Sequence, residues 1–253
     1  MNFDLKGRVA FVTGATSGLG RHFAHVLSRA GASVAICGRR TESLKSVETE
    51  IVLAGGSVFA FAMDVTEQAQ IAPAFDQIER ALGPADILVN NAGMSVNGAI
   101  VDISAAGFDN VLSTNLRAPF LLSQEAGRRM IARGKGGRII NIASITASRV
   151  LPGSAPYCIS KAGLTMMTQC FAREWARYDI NVNAICPGFI ATELNRGWFE
   201  SEKGKAQINS FPKRRMQQQH DLDGTLLLLA SDLSHGITGA LIDVDEAQSL
   251  SGL

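Results

Sequence analysis

The chain alternates short, almost wholly apolar segments with longer segments of helical periodicity, and this alternation restricts its fold more than any other feature. The apolar segments have the length of buried strands and end in turns that contain glycine or polar residues. They cover residues 8–13, 33–38, 57–62, 86–90, 138–143, 181–185 and 240–244. A segment with helical spacing follows each of the first six, at residues 18–30, 42–53, 67–82, 104–133, 155–178 and 222–231.

Strands that are apolar along their whole length, each followed by a helix, indicate a parallel sheet that is covered on both faces. Right-handed crossover connections make such a sheet doubly wound. No linker, internal repeat or low-complexity tract divides the 253 residues. The sequence therefore predicts a single α/β domain over residues 1–253, with about seven parallel strands and helices on both faces.

Composition excludes several classes of protein. The 24 basic and 23 acidic residues leave a net charge of +1, which argues against a dedicated nucleic-acid binder. We expect no membrane span, no secretory signal and no metal site, because long apolar runs, a basic start and clustered histidines or cysteines are not found. Four widely spaced cysteines predict core packing in a reducing, cytoplasmic setting.

A glycine-rich turn, TGATSGLG at residues 13–20, lies between the first predicted strand and the first predicted helix. Glycines there permit a tight turn and let backbone N–H groups approach a pyrophosphate, towards which the helix N-terminus points its positive end. A purely structural loop is the alternative. The residues that we expect to bind phosphate are Gly14, Thr16, Ser17, Gly18, Leu19 and Gly20.

Four motifs in this order resemble the short-chain dehydrogenase/reductase family: TGATSGLG at 13–20, NNAG at 90–93, a serine at 144 and YCISK at 157–161. The resemblance extends from Leu5 to about Val244. It implies a single-domain Rossmann fold and a hydride transfer between a nicotinamide cofactor and a ketone or secondary alcohol. The nearest subtypes are its NADP-preferring carbonyl reductases and its reductases similar to 3-oxoacyl reductases.

Two arginines, Arg39 and Arg40, follow the second predicted strand. An acidic side chain at this place would accept hydrogen bonds from the ribose hydroxyls of NAD and repel a 2′-phosphate. A guanidinium does the reverse, because it offers paired donors and a permanent positive charge to phosphate oxygens. A solvated charge pair is the other interpretation, although cations are unfavourable at the start of a helix. The arginines therefore favour NADP(H) over NAD(H).

Tyr157 and Lys161 lie four residues apart at the start of a predicted helix, which places them on one face, a turn apart. Tyrosine is a poor acid–base catalyst at neutral pH because its pKa lies near 10. An ammonium about 4 Å away is worth roughly 4 kcal/mol at an effective dielectric constant near 20. That energy corresponds to roughly three pKa units, so we expect Lys161 to lower the pKa of Tyr157 towards neutrality. Taken alone, a tyrosine and a lysine at this spacing are more often an ordinary exposed pair on a helix than a catalytic pair.

The family resemblance supplies the remaining roles. It implies that Tyr157 donates or accepts the proton, that Ser144 holds the substrate oxygen, that Lys161 also binds the nicotinamide ribose, and that Asn115 holds a water in a proton relay. Asp64 and Val65 should border the adenine, and Asn91, Ala92 and Gly93 the cofactor near its ribose. The segment after the sixth strand should close over the nicotinamide with Pro187, Gly188, Ile190 and Thr192.

Residues 189–213 are polar and irregular, and we expect them to form a mobile lid over the substrate. Its apolar residues predict either a partly apolar substrate pocket or ordinary core packing: Phe189, Leu194, Trp198, Phe199, Ile208 and Phe211.

One departure from the family affects the C-terminus. The family usually has Val-Asp-Gly-Gly after its last strand, whereas here Val244 and Asp245 precede Glu246 and Ala247, which leaves the local turn in doubt.

Three functions remain open. The first is an NADPH-dependent carbonyl reductase of small or medium ketones, and the second is a 3-oxoacyl reductase whose substrate is delivered by a carrier protein. A basic cluster favours the second, unless its cations only complement a helix C-terminus: Arg128, Arg129, Arg133, Lys135 and Arg138. The third is a nucleotide-sensing protein without catalysis. The resemblance also implies a homotetramer, or failing that a dimer, with apolar helix faces at the interface.

Overall fold

Seven parallel strands form one sheet in the part of the chain that the computed structural model describes, residues 3–190 and 196–250 without the side chains of Arg196 and Trp198. The strands are β1 (Val9–Thr13), β2 (Ser33–Gly38), β3 (Val58–Ala62), β4 (Ile87–Asn90), β5 (Gly137–Ile142), β6 (Ile180–Pro187) and β7 (Leu241–Val244). Their order across the sheet is β3-β2-β1-β4-β5-β6-β7. The predicted fold class is therefore confirmed.

Helices connect these strands and cover both faces of the sheet. They are α1 (Gly18–Arg29), α2 (Thr41–Leu53), α3 (Gln68–Leu82), α4 (Ala105–Leu112), α5 (Ala118–Arg133), α6 (Ala155–Trp175), α7 (Arg196–Glu200), α8 (Glu202–Ser210) and α9 (Asp223–Ala230). None of the described helices combines the length and the apolarity that a bilayer crossing requires.

The two faces of the sheet form two separate apolar cores, because successive residues of a strand point to opposite sides. In β1, Phe11 is buried against α3, α5 and α6, whereas its neighbour Val12 is buried against α1, α2 and α9. This explains why the strands are apolar along their whole length. The order of the strands reverses between β1 and β4, so their carboxyl ends border a crevice of the kind in which such sheets bind ligands.

The segment predicted as one helix over 104–133 is continuous but changes its winding. α4 and α5 are joined by a π-helical turn, Ser113–Arg117, in which the Ala118 N–H donates to the Ser113 carbonyl five residues back. Pro119 lies in the first turn of α5 and has no N–H, so it cannot donate to the carbonyl of Asn115, four residues earlier. The lost bond accounts for the wider turn, and such turns often occur at functional sites.

The expectation of an irregular segment over 189–213 is wrong, because this segment contains α7 and α8. Ser201 caps α8 by accepting a hydrogen bond from the Gly204 N–H at 3.1 Å. Phe199 and Phe211 are buried on either side of α8. Polar residues and two glycines hide this short amphipathic pattern in the sequence, so only the packing of the aromatic rings makes the helices evident.

Candidate active site

A cradle of glycines lies where the predicted phosphate-binding turn follows β1. A Cβ atom on Gly14 would lie 2.7 Å from the Ala92 Cα, and one on Gly20 would lie 2.3 Å from the Gly14 carbonyl oxygen. On Gly38, at the end of β2, it would lie 2.5 Å from the Thr16 Cγ2. Gly14 and Gly20 thus approach other backbone atoms, and Gly38 approaches the Thr16 side chain, more closely than a Cβ would allow.

Thr13 and Asn91 fasten this turn to the end of β4. The Thr13 hydroxyl accepts hydrogen bonds from the N–H groups of Asn91 and Ala92 at 3.0 and 3.1 Å. In return, the Asn91 amide donates to the carbonyls of Thr13 and Gly14 at 2.9 and 3.2 Å. The side chain of Asn91 therefore holds the glycine turn against the end of β4, a role that its position in the NNAG motif does not reveal.

The remaining residues of the turn lie around the start of α1. Gly18 begins the helix with a φ of 54°, in the left-handed region that favours glycine. The Leu19 side chain packs against the core on the α1 face, and Thr16 and Ser17 are half-buried. The turn is also tied to β2, because the Ala15 N–H donates to the Cys37 carbonyl at 3.0 Å.

The two arginines after β2 have different surroundings. Arg40 precedes α2 and donates to the hydroxyls of Thr16 and Ser17, at 2.9 and 2.5 Å, so its guanidinium lies against the glycine turn. Arg39 is 79% exposed, with a 3.7 Å contact to the Asp64 carboxylate. Partial burial raises the pKa of Asp64, but hydrogen bonds from Thr66 and the charge of Arg39 outweigh it, so the pKa is lowered. Asp64 therefore stays ionised and partly neutralises Arg39.

Ser144, Tyr157 and Lys161 meet at the carboxyl end of β5. Ser144 follows the strand, and its hydroxyl accepts a hydrogen bond from the Thr146 N–H at 3.1 Å. The Lys161 ammonium nitrogen lies 5.5 Å from the centre of the Tyr157 ring and donates to the Ile142 carbonyl at 2.7 Å. A Cβ on Gly93 would lie 3.8 Å from the same nitrogen, so the NNAG segment borders this group.

The expected lowering of the Tyr157 pKa by Lys161 is not what the structure shows. Burial raises the pKa of Tyr157 to about 12, against a smaller lowering effect of the hydrogen bond with Ser144. Burial also lowers the pKa of Lys161 to about 8. Both shifts favour the uncharged form, as removal of a charged group from water does. The expectation was wrong because it counted the attraction of the ammonium and omitted the cost of burying the phenolate.

Asn115 is fully buried in the π-helical turn, and its side chain is held from two sides. Its amide oxygen accepts from the Met94 N–H at 2.8 Å, and its amide nitrogen donates to the Met94 carbonyl at 2.9 Å. That nitrogen also donates to the Ser160 hydroxyl at 3.0 Å, which in turn donates to the Tyr157 carbonyl at 2.7 Å. The amide thus links the NNAG segment to the first turn of α6.

The loop after β6 is held by side chains that the sequence did not single out. Gln217 accepts a hydrogen bond from the Gly188 N–H at 3.2 Å and donates to the Val244 carbonyl at 2.7 Å. Gln248 accepts one from the Phe189 N–H at 2.7 Å. Ile190 pairs with Gln217 in a short parallel bridge. Thr192 and Leu194 lie outside the described residues.

The structure shows how the C-terminal turn forms without the two glycines that the family usually has there. Glu246 and Ala247 adopt left-handed conformations, with φ values of 53° and 64°, although neither is glycine. The Asp245 carboxylate accepts hydrogen bonds from the N–H groups of Ala247 and Ser249 at 3.0 and 2.7 Å. The Glu246 carboxylate pairs with Lys213 and Arg215. Side-chain contacts hold the turn that glycines usually make.

The aromatic residues of the 189–213 segment pack on one another. The rings of Phe189 and Phe211 are stacked with centroids 5.4 Å apart, and Phe199 meets Phe189 edge-on at 5.8 Å. Phe199 and Phe211 are buried, and Ile208 is half-buried. For these side chains the structure favours core packing of the segment over an open apolar pocket.

The basic cluster near the end of α5 is largely neutralised. Arg129 contacts Glu125 and Asp76 at 2.8 Å each, and Arg133 contacts Asp86 at 2.9 Å. Two further ion pairs join Arg128 to Glu125, and Arg138 to Asp232. Four of the five cations are therefore paired with carboxylates, which reduces the positive charge that the cluster offers to an acidic partner. In the described part of the chain, we find no group of three or more histidine, cysteine, aspartate or glutamate residues that could hold a metal ion.

The fold is a doubly wound parallel sheet with a glycine cradle where its strand order reverses. A serine, a tyrosine and a lysine lie beside that cradle. This combination is typical of α/β enzymes that bind dinucleotides. A family model described as enoyl-(acyl carrier protein) reductase matches residues 14–246. The chain belongs to the short-chain dehydrogenase/reductase family of oxidoreductases.

Individual relatives match nearly the whole chain. A gluconate 5-dehydrogenase from Gluconobacter oxydans is 34% identical over 250 residues, which cover 98% of this chain and 97% of the relative. An NAD-dependent glycerol dehydrogenase from Listeria innocua is 35% identical and covers 96% and 94%. The crystal structure of a gluconate 5-dehydrogenase from Burkholderia cenocepacia in complex with NADP and tartrate has a TM-score of 0.94 at 33% identity, covering 99% of this chain and 98% of that chain.

Proposed function

We propose that this protein is an NADPH-dependent oxidoreductase that transfers a hydride between the nicotinamide and a ketone or secondary alcohol, with Tyr157 as the general acid and base. The observation that carries the proposal is the meeting of Ser144, Tyr157 and Lys161 at the carboxyl edge of the sheet, beside the glycine cradle. A protein that only sensed nucleotides would have no need of a buried phenol and amine together.

The residues of the crevice fit a dinucleotide. The cradle of Gly14, Gly20 and Gly38 has no room for a Cβ, so backbone N–H groups can contact a pyrophosphate there. Arg39 and Arg40 would hold the 2′-phosphate of the adenosine ribose, and Asp64 and Val65 would border the adenine. Gly93 and Lys161 would border the nicotinamide ribose, and the loop Pro187–Ile190 the nicotinamide. When bound, the nicotinamide supplies or accepts the hydride.

The side chains of this chain move the proton. In the direction of reduction, the hydroxyls of Ser144 and Tyr157 donate hydrogen bonds to the substrate carbonyl oxygen, and the phenol gives that oxygen its proton. A pKa of about 12 keeps the phenol protonated at neutral pH, ready to act as an acid. With a pKa near 8, Lys161 is mostly protonated at pH 7 and stabilises the phenolate that forms. The resting protonation states therefore favour reduction.

Replacement of Tyr157 by phenylalanine tests this assignment. It removes one hydroxyl and leaves the ring beside Lys161. We expect turnover with NADPH to fall at least about a thousandfold, since both the proton and a polarising hydrogen bond are lost. The NADPH dissociation constant, measured by fluorescence titration, should change less than about threefold, which is roughly 0.7 kcal/mol. Turnover near that of the unmodified protein would refute the role of Tyr157.

The cofactor preference is a separate proposal. It rests on the guanidinium groups of Arg39 and Arg40 at the end of β2, where Arg40 already contacts two hydroxyls of the glycine turn. We expect NADPH to bind at least about tenfold more tightly than NADH, a difference of about 1.4 kcal/mol. Arg40→Ala should remove most of this difference by weakening NADPH binding alone. A tenfold preference for NADH in the unmodified protein would overturn the proposal.

We infer that the substrate carries hydroxyl groups next to the reacting carbon. The relatives named above act on gluconate and glycerol, as their names state. The loop after β4 and the residue before α6, the helix that carries Tyr157, also bear polar side chains: the Asn97 amide oxygen accepts hydrogen bonds from the hydroxyls of Ser95 and Ser154, each at 2.9 Å. A panel of sugar acids, polyols and their ketones, set against alkyl ketones of equal size, tests this inference. Faster turnover of the alkyl ketones would refute it.

A carrier-linked 3-oxoacyl reductase is the second candidate, favoured by the description of the matching family model. The ion pairs of the basic cluster argue against it, because an acidic carrier would have to compete with Glu125, Asp76 and Asp86. Turnover of a 3-oxoacyl thioester on a carrier protein, compared with the same acyl group on a small thiol, separates the two. A large advantage for the carrier form would establish this alternative.

We also propose that the protein is a homotetramer, or failing that a dimer. An open apolar groove between α4, α5 and α6 supports association through these helices. Its lining includes Leu112, Phe120 and Met166, and the last two are large exposed side chains. Light scattering on the purified chain tests this. Phe120→Asp should shift the mass towards the monomer, whereas Val52→Asp, at an exposed position on α2, should not.

A further inference from the structure

The C-terminal turn carries a strained backbone that its sequence does not favour. Glu246 and Ala247 both have positive φ values, which L residues rarely adopt, and nearby Arg214 has one of 50°. Left-handed conformations outside glycine persist where surrounding contacts enforce them, and they gather at functional sites. The contacts of Glu246 therefore stabilise a backbone conformation that is otherwise unfavourable.

Glu246 presents a nearly buried carboxylate to two cations. Its side chain is only 7% exposed, and its Oε1 atom accepts hydrogen bonds from Lys213 at 3.0 Å and from Arg215. Arg215 also lies 3.7 Å from Asp221. Lys213 and Arg215 are 59% and 44% exposed, so it is the buried Glu246 carboxylate that would be left uncompensated if its partners were lost.

The two cations belong to the segment that supports the loop after β6. Two residues beyond Arg215, the Gln217 N–H donates to the Phe189 carbonyl at 3.1 Å, and the Gln217 side chain binds the Gly188 N–H at 3.2 Å. Gln248, two residues after Glu246, accepts the Phe189 N–H at 2.7 Å. Residues 213–217 thus lie between the C-terminal turn and the loop Pro187–Ile190, with bonds to both.

We propose that Glu246 is a positioning residue for the nicotinamide loop: through Lys213 and Arg215 it holds residues 213–217 in the place where Gln217 fixes Gly188 and Phe189. Within the described residues, the polar contacts of Glu246 are with Lys213 and Arg215 and not with Ser144, Tyr157, Lys161 or the glycine turn. The inference rests on the proposed function, since Pro187–Ile190 matters for catalysis only if a nicotinamide binds beside it. This role accounts for a charged side chain at Glu246, where the family usually has glycine.

Glu246→Gln tests the proposal because it removes the charge and keeps the shape of the side chain. We expect the NADPH dissociation constant to rise about tenfold, as for a partly buried ion pair. Amide hydrogen exchange at Gln217 and Gly188 should accelerate at least about tenfold. Exchange at Ala15, whose N–H binds the Cys37 carbonyl in the glycine turn, should not change. The turnover number should fall less than the affinity, since Glu246 does not touch the reacting atoms.

Three further variants complete the test. Glu202→Gln is the matched control, because Glu202 also pairs with a lysine of this region, at 2.7 Å, but is 90% exposed. It should behave like the unmodified protein. Replacement of Lys213 and Arg215 together by glutamine should accelerate exchange more than Glu246→Gln does, because it leaves the buried Glu246 carboxylate uncompensated. Adding Glu246→Gln to that double replacement should bring exchange back to the rate seen with Glu246→Gln alone, because it removes the unpaired charge.

The outcomes separate this inference from the proposed function. Unchanged exchange at Gln217 and Gly188 in Glu246→Gln, or faster exchange at Ala15 as well, would overturn the positioning role. The first means that no coupling exists, and the second means a general loss of stability. If local exchange accelerates as expected while the unmodified protein neither binds NADPH nor reduces any carbonyl, Glu246 still positions the loop and the proposed function fails.

Discussion

The two ends of the crevice are built by different means. At the glycine turn after β1, close backbone approaches leave no space for a Cβ at Gly14 or Gly20. At the loop after β6, buried side chains of Gln217 and Gln248 hold the backbone, and the nearby turn has positive φ values at Glu246 and Ala247. The first end depends on glycines that allow close backbone approach, besides the hydrogen bonds of Thr13 and Asn91, whereas the second depends on buried side chains.

This difference determines how each end responds to mutation. A side chain added at the glycine turn meets backbone atoms, which cannot move without disturbing β1 or β4. At the other end, an atom added at Gly188 first meets the Gln248 side chain, which has rotatable bonds, and the nearest backbone atom lies farther away, at 3.1 Å. A side chain removed there breaks hydrogen bonds or ion pairs. We therefore expect steric sensitivity at the first end and electrostatic sensitivity at the second.

The largest expected effect comes from Gly20→Ala compared with Gly188→Ala. The new Cβ would lie 2.3 Å from a backbone oxygen at Gly20, whereas its nearest neighbour at Gly188 is the side-chain oxygen of Gln248 at 2.6 Å. We expect Gly20→Ala to lower the free energy of unfolding by about 3 kcal/mol and Gly188→Ala by about 1 kcal/mol. Urea unfolding measures both losses.

Gly224→Ala provides the control for these two variants. Gly224 lies in α9 with open space around its Cα, so alanine should stabilise the helix by about 0.5–1 kcal/mol. Equal losses at Gly20 and Gly188 would contradict the contrast between the two ends.

A smaller effect concerns Lys161, which lies between the two ends. Burial lowers its pKa from 10.5 to about 8 in the folded protein. Below pH 8, Lys161 is protonated in both the folded and the unfolded protein, and the cost of burying its charge is fully present. Between pH 8 and 10.5, Lys161 keeps its proton in the unfolded chain but has released it in the folded protein. Stability therefore increases with pH in this interval.

The measurement compares the unmodified protein with Lys161→Met. The difference between their free energies of unfolding should shift by about 2 kcal/mol in favour of lysine from pH 7 to pH 9.5. Tyr157 does not interfere, because its raised pKa affects stability only where unfolded tyrosine ionises, near pH 10. A difference that does not depend on pH would show that the ammonium is not desolvated.

The smallest effect sharpens the description of the C-terminal turn. Ala247→Gly should raise the free energy of unfolding by about 1 kcal/mol, because glycine adopts a φ of 64° without the clash of a Cβ. Ala54→Gly is the control, since exposed Ala54 follows α2 with an ordinary φ of −80° and should lose stability or remain unchanged. A loss at Ala247 would mean that its side chain holds the turn.

Much of this protein could be predicted from local patterns. The alternation of strands and helices predicted seven parallel strands, and the glycine turn and the YCISK segment indicated where the crevice lies. The π-helical turn at Asn115 was missed, although Pro119 marks it. The helices α7 and α8 were missed because the aromatic residues beside them pack against Phe189, which lies outside both helices, so no repeating apolar pattern marks them.

The order of residues alone specifies what depends on near neighbours: the period of apolar positions, the conformational freedom of glycine and the spacing of Tyr157 and Lys161. Folding in three dimensions settles what depends on surroundings from distant parts of the chain. It raises the pKa of the phenol instead of lowering it, because desolvation depends on all atoms packed around a group. It also joins Glu246 to Lys213 and Arg215, about thirty residues away, a pairing that no local pattern contains.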